Sequence, residues 1–175
     1  MLDKYDRVIR PKRKLLRLPG VDYSTEWYYF VTICVENRRC ILGNIVDGNL
    51  RPQKSIVGAG HAQPATEKIF LPSRLGKIVE NVWKNIPDHY PVSLNTFQIM
   101  PSHLHFIIEI AGAACHAPTL GSIVGSFKSE MTKQVRLLLK DKSIDLWQRS
   151  YFERIIRNEK ELAILQYYIE QNPND

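Results

Sequence analysis

Residues 103–110, His-Leu-His-Phe-Ile-Ile-Glu-Ile, narrow the possible folds more than any other stretch of this chain. In an extended strand, successive side chains point to opposite faces. Leu104, Phe106, Ile108 and Ile110 then make a continuous apolar face that something must cover, while His103, His105, Ile107 and Glu109 share the other. Pro101 separates this run from another strand, Val92 to Met100. Residues 26–35 are rich in aromatic and β-branched side chains and predict a buried strand.

Helices to cover the sheet follow from spacing. Leu75, Ile78, Val79, Val82, Trp83 and Ile86 recur at helical intervals over 72–86, with Pro87 just beyond. Ile123, Val124, Phe127, Met131, Val135 and Leu138 form an amphipathic pattern over 120–139. A last helix runs from about Glu159 to Gln171 and stops at Asn172-Pro173, because proline disfavours helix in the residue before it. Cys40–Gly43 and Ile45-Val46 predict a short strand, and Trp147–Ile156 an extended piece. Residues 51–66 and 111–119 are rich in glycine, proline and other small residues and predict loops. Adjacent strands with interleaved helices make the fold class α+β, an antiparallel sheet covered by helices.

A chain of 175 residues suits one domain with a real core. We divide it into a basic arm, 1–20, and a single folded domain, 21–175. The arm holds Lys4, Arg7, Arg10, Lys12, Arg13, Lys14 and Arg17 against Asp3 and Asp6, most of the net charge of +6. A basic arm is suited to the backbone of a polyanion such as nucleic acid. Cys34, Cys40 and Cys115 are odd in number and lack zinc-site spacing, which points to free thiols in a reducing compartment. No stretch has the length of a signal peptide or membrane span, so the expected location is the cytoplasm, with no membrane partner.

Two imidazoles at i and i+2 on one strand face can grip one cation, so His103 and His105 are candidate metal ligands. On the last helix, Tyr168 and Asn172 lie one turn apart and share a face, whereas Tyr167 is expected to pack. A helix face docked on the histidine face would bring a phenol and an amide oxygen to the metal. That set suits a phosphodiester: a divalent ion stabilises charge on the phosphate oxygens, and an ionised tyrosine can attack phosphorus. A covalent phosphotyrosine retains the bond energy for religation. Lys128, Lys133 and Arg136 on the preceding helix, with Arg149, Arg154 and Arg157 before the last one, form a possible electrostatic track. Tyr151 and Phe152 are candidates for stacking on bases.

These residues carry a resemblance. Met100-Pro101-Ser102-His103-Leu104-His105, Trp147-Gln148-Arg149-Ser150-Tyr151-Phe152, Ile155-Ile156-Arg157-Asn158-Glu159 and Tyr168-Ile169-Glu170-Gln171-Asn172-Pro173 resemble, in order and spacing, the HUH single-tyrosine transposases. The branch they are most similar to is the REP-associated tyrosine transposases. The strand around Tyr29-Phe30-Val31-Thr32-Ile33-Cys34 fits as well, so the resemblance spans roughly residues 15–173. It implies a ferredoxin-like sheet with His103, His105 and Asn172 binding Mg²⁺ or Mn²⁺. It implies Tyr168 as the nucleophile on single-stranded DNA beside REP-like hairpins, giving a 5′-phosphotyrosine and a free 3′-OH. Arg10, Lys12, Arg13, Lys14, Arg17, Lys128, Arg149 and Arg154 are the expected DNA-binding residues, in a monomer or a homodimer. Ser102 stands where the family often has Asn. Two other classes fit the residues: a catalytically inactive module binding hairpin DNA or RNA, and a metal hydrolase using water instead of tyrosine.

Overall fold

The computed structural model describes residues 27–47, 68–110 and 118–174. The basic arm, residues 48–67 and most of the 111–119 loop lie outside the described residues. Along the chain come β1 (Trp27–Cys34), β2 (Gly43–Asp47), β3 (Lys68–Pro72), α1 (Arg74–Lys84), β4 (Val92–Met100), β5 (His103–Ile110), α2 (Leu120–Leu139), β6 (Phe152–Ile156) and α3 (Glu159–Gln171).

The main sheet has the order β4-β5-β1-β6, and every neighbouring pair is antiparallel. With α1 between β1 and β4, and α2 between β5 and β6, this is the ferredoxin-like βαββαβ arrangement. The aromatic, β-branched run of β1 takes a central place, paired on both edges. Its odd-numbered side chains Tyr29, Val31 and Ile33 join Leu104, Phe106, Ile108 and Ile110 of β5 beneath α1 and α2 in the larger core. Trp83 of α1 stacks on Phe97 of β4 at 4.9 Å. The other face holds a smaller core of Phe30, Ile107, Ile156 and Ile169, the last supplied by α3. The expected division of β5 into two faces therefore holds.

One element departs from expectation. The helix predicted over 72–86 begins two residues later, because Pro72 closes β3, a strand the sequence reading did not resolve. β3 pairs with β2 in a separate two-stranded sheet. Ser73 caps α1 by accepting from the Leu75 and Gly76 amides. The joint is tight: a Cβ on Gly76 would collide with the Leu42 carbonyl oxygen, so only glycine fits.

Candidate active site

Register places the site before any side chain is considered. Cys34 stands opposite His103, Thr32 opposite His105 and Phe30 opposite Ile107. On the flanks, Gln98 of β4 faces His105, and Phe152 of β6 faces Thr32. Directly paired residues share a face, so the two histidines sit on a platform with Phe30, Thr32 and Phe152, beneath α3.

The rings of His103 and His105 lie 4.8 Å apart, nearly edge to face. His105 is 5% exposed and stacks on Phe30 at 5.5 Å. Each Nδ1 has a hydroxyl beside it: Thr32 Oγ1 at 2.8 Å from His105 and Ser102 Oγ at 3.3 Å from His103. The tautomer in which Nδ1–H of His105 donates to Thr32 leaves Nε2 with an open lone pair. That Nε2 is buried and has no hydrogen-bond partner. A buried acceptor left unmatched is costly, and a cation would satisfy it. Burial drives the His105 pKa down to about 4, helped by the nearby charges of His103 and Arg38. Burial, then Arg38, also lowers His103. Both imidazoles are thus neutral near pH 7, the form that ligates metal. The donor set fits a divalent cation.

The start of α3 is fixed by three contacts. Asn158 Oδ1 accepts from the Glu161 amide at 2.8 Å. The Glu161 carboxylate accepts from the Arg157 amide at 3.0 Å and pairs with Arg154 at 2.6 Å. Leu162, Leu165 and Ile169 then face the sheet. Tyr168 follows at the border of this packed stripe, its ring 5.6 Å from His105 and 6.3 Å from Phe30, and 41% exposed. Tyr167, expected to pack, is instead 66% exposed, because its neighbours occupy the inward positions. Asn172 caps the helix one turn after Tyr168 and is buried.

The sequence-predicted residues thus divide. His103, His105 and Tyr168 come together, with Asn172 next along the same helix. Arg10, Lys12, Arg13, Lys14 and Arg17 lie outside the described residues. Arg154 is engaged by Glu161 on the site face, whereas Lys128 and Arg149 lie beside α2 on the opposite layer. The sequence reading missed Thr32, which steadies His105, and Arg38, whose charge reaches both histidines. Arg38 and Asn37 both have left-handed backbone, φ 52 and 56, an uncommon state for residues other than glycine. The spacing Thr32–His105 is 73 residues, so no local pattern could reveal it.

Comparison with known proteins adds to this geometry. Residues 64–172 match the family described as Transposase IS200 like. An uncharacterized protein of Haemophilus influenzae is 34% identical over 193 residues, covering 99% of this chain and 94% of that protein. A second H. influenzae protein, provisionally named a REP-associated tyrosine transposase, is 26% identical over 98 residues, 53% of this chain and 56% of its own length. The solved structure of a REP-associated tyrosine transposase bound to a REP hairpin superposes with a TM-score of 0.54 at 18% identity, covering 91% of this chain and 73% of that one. At that identity the superposition speaks for the fold alone.

Proposed function

The chain belongs to the IS200-like transposase family, and on that footing we propose that it is a metal-dependent single-stranded DNA endonuclease and strand transferase acting beside REP-type hairpins. The observation that carries the reading is the buried, unpartnered Nε2 of His105 beside the exposed edge of Tyr168. His103, His105 and Asn172 would hold Mg²⁺ or Mn²⁺, with imidazole ligands favouring manganese. A bound divalent cation supplies polarisation of the phosphate and stabilisation of the charge that grows on its oxygens.

The remaining work falls to the chain's own groups. Phe30 stacks on His105 and fixes its ring. Thr32 holds its Nδ1 at 2.8 Å, and with the hydroxyl accepting from Nδ1–H the Nε2 lone pair is left for the cation. Tyr168 attacks phosphorus through Oη; an Oη–P bond forms, the P–O3′ bond breaks, and a 3′-OH departs. The phenol proton leaves to solvent, which reaches the ring, and the departing 3′ oxygen takes one up. Phe152, 49% exposed and edge-on to Phe30, offers a stacking surface for a base near the cleaved bond. The hairpin preference rests on the named relatives' REP association.

The test is a denaturing gel after incubation with hairpin-bearing single-stranded DNA and Mn²⁺. A covalent protein–DNA adduct is expected, absent in Tyr168→Phe. Cleavage that persists in Tyr168→Phe sinks the tyrosine mechanism, and binding without cleavage makes the protein a hairpin-binding module. Mn²⁺ binding by calorimetry is expected to be lost in His105→Ala, independently of activity.

A further inference from the structure

A cleft of about 370 Å³ lies beside α2, against the 145–149 segment, on the layer opposite the histidines. Lys128, Lys133, Arg136 and Arg149 line it, with Asp145 and Trp147. Trp147 is 7% exposed, and its indole Nε1 is buried without a hydrogen-bond partner. Indole N–H can only donate, so a buried one left unmatched calls for an acceptor. Asp145 lies against Arg136 and Glu130 against Lys133, so four cations meet two carboxylates, and the positive balance that remains suits an anion as the acceptor.

Two of the cations are held in place by the backbone, and Lys133 by the Glu130 carboxylate at 3.4 Å. Lys128 Nζ donates to the Gln148 and Arg149 carbonyls at 2.6 and 3.3 Å. Arg136 Nε donates to the Ile144 carbonyl at 3.0 Å, and its other end lies 3.6 Å from Asp145. Among the described residues, the Arg149 side chain has no hydrogen bond or ion pair. The position matters as much as the charge. The Gln148 amide donates to the Cys34 carbonyl at 2.9 Å, and Cys34 stands opposite His103. The cleft and the histidine pair therefore share one end of the sheet, on opposite layers. A polynucleotide rounding that end passes Arg38 and Arg39, both exposed, between the two.

We propose that this cleft binds a backbone phosphate of the same DNA whose cleavage occurs at the histidine face, with Trp147 Nε1–H and Arg149 donating to its oxygens. The inference rests on the strand-transfer reading for the identity of the ligand. It makes the cleft an affinity site, remote from the reacting atoms.

The experiment is fluorescence anisotropy of a labelled hairpin-bearing oligonucleotide across a salt series, with the full chain and two variants. Lys133→Gln/Arg149→Gln is expected to weaken binding about tenfold at low salt and to lower the slope of log K against log salt by about 1–2. Trp147→Phe removes an N–H and no charge, so affinity falls several-fold at unchanged slope. If Trp147→Phe does not fold, the double variant decides. Wild-type affinity in the double variant overturns the proposal. So does inorganic phosphate quenching Trp147 while the double variant binds DNA normally, since the cleft would then be a free-anion site. If wild-type protein forms no adduct yet the variants bind weakly, the strand-transfer reading fails and the cleft stands.

Discussion

At the scale of the residue, His105 gathers most of the constraints. It is buried, stacked on Phe30, tied to Thr32 through Nδ1 and open at Nε2. Outer partners of metal-bound histidines set tautomer and orientation. Thr32→Val should therefore weaken Mn²⁺ binding about 10–100-fold, with Thr32→Ser recovering most of it; calorimetric titration checks both. The lowered pKa has a stability consequence as well. In the unfolded chain histidine titrates near its ordinary 6.5, while folded His105 resists protonation down to about 4. The unfolded state therefore binds more protons between those values. Metal-free protein should lose stability as pH falls from about 6.5 towards about 4, seen as a falling urea midpoint. The loss should be shallower in His105→Gln, which does not titrate. The histidine pair was visible in the sequence because i, i+2 spacing is local. Thr32, Ser102 and Arg38 were not recognised, since their roles depend on which strands become neighbours.

At the scale of the element, α3 is the part that brings Tyr168 beside the histidine pair. Its first turn is fixed by Asn158 and Glu161, and its inward stripe by Leu162, Leu165 and Ile169. Asn158→Ala removes the cap and should cost about 1 kcal/mol in urea unfolding. It should also slow adduct formation, because the helix that carries Tyr168 frays from its start. A second expected outcome concerns the joint between the small sheet and α1. Gly76→Ala sets a Cβ against the Leu42 carbonyl, a backbone atom that cannot step aside cheaply. Its cost should be about 1–3 kcal/mol, measured by thermal or urea unfolding. Two of the three helices were legible from apolar spacing, and the last from its stop at Asn172-Pro173. The strand Lys68–Pro72 was not, because its five residues directly precede a helical pattern and the loop before it hides its pairing with Gly43–Asp47.

At the scale of the whole molecule, a single chain brings its own α3 onto its own histidines, with Tyr168 in ring contact with His105. Mixing His103→Ala with Tyr168→Phe protein should therefore restore no adduct on the denaturing gel. Recovery of adduct would mean that the helix is exchanged between two copies. The antiparallel order β4-β5-β1-β6 also gives the molecule two covered faces. One is the histidine platform under α3; the other is the layer of α1 and α2, with the basic cleft at its margin. No helix among the described residues is long and apolar enough to cross a membrane.

The sequence by itself determined the alternating faces of β5, the histidine pair, the helical spacing of Tyr168 and Asn172, and the α+β class. All of these follow from side-chain periodicity within one element. Only the tertiary structure decided that Thr32 holds His105, that Arg38 reaches both imidazoles, and that Lys128 and Arg149 join Trp147 on the far layer while Arg154 pairs with Glu161. Those relations join residues far apart in the chain, and they exist only once strand order and helix packing have made them neighbours.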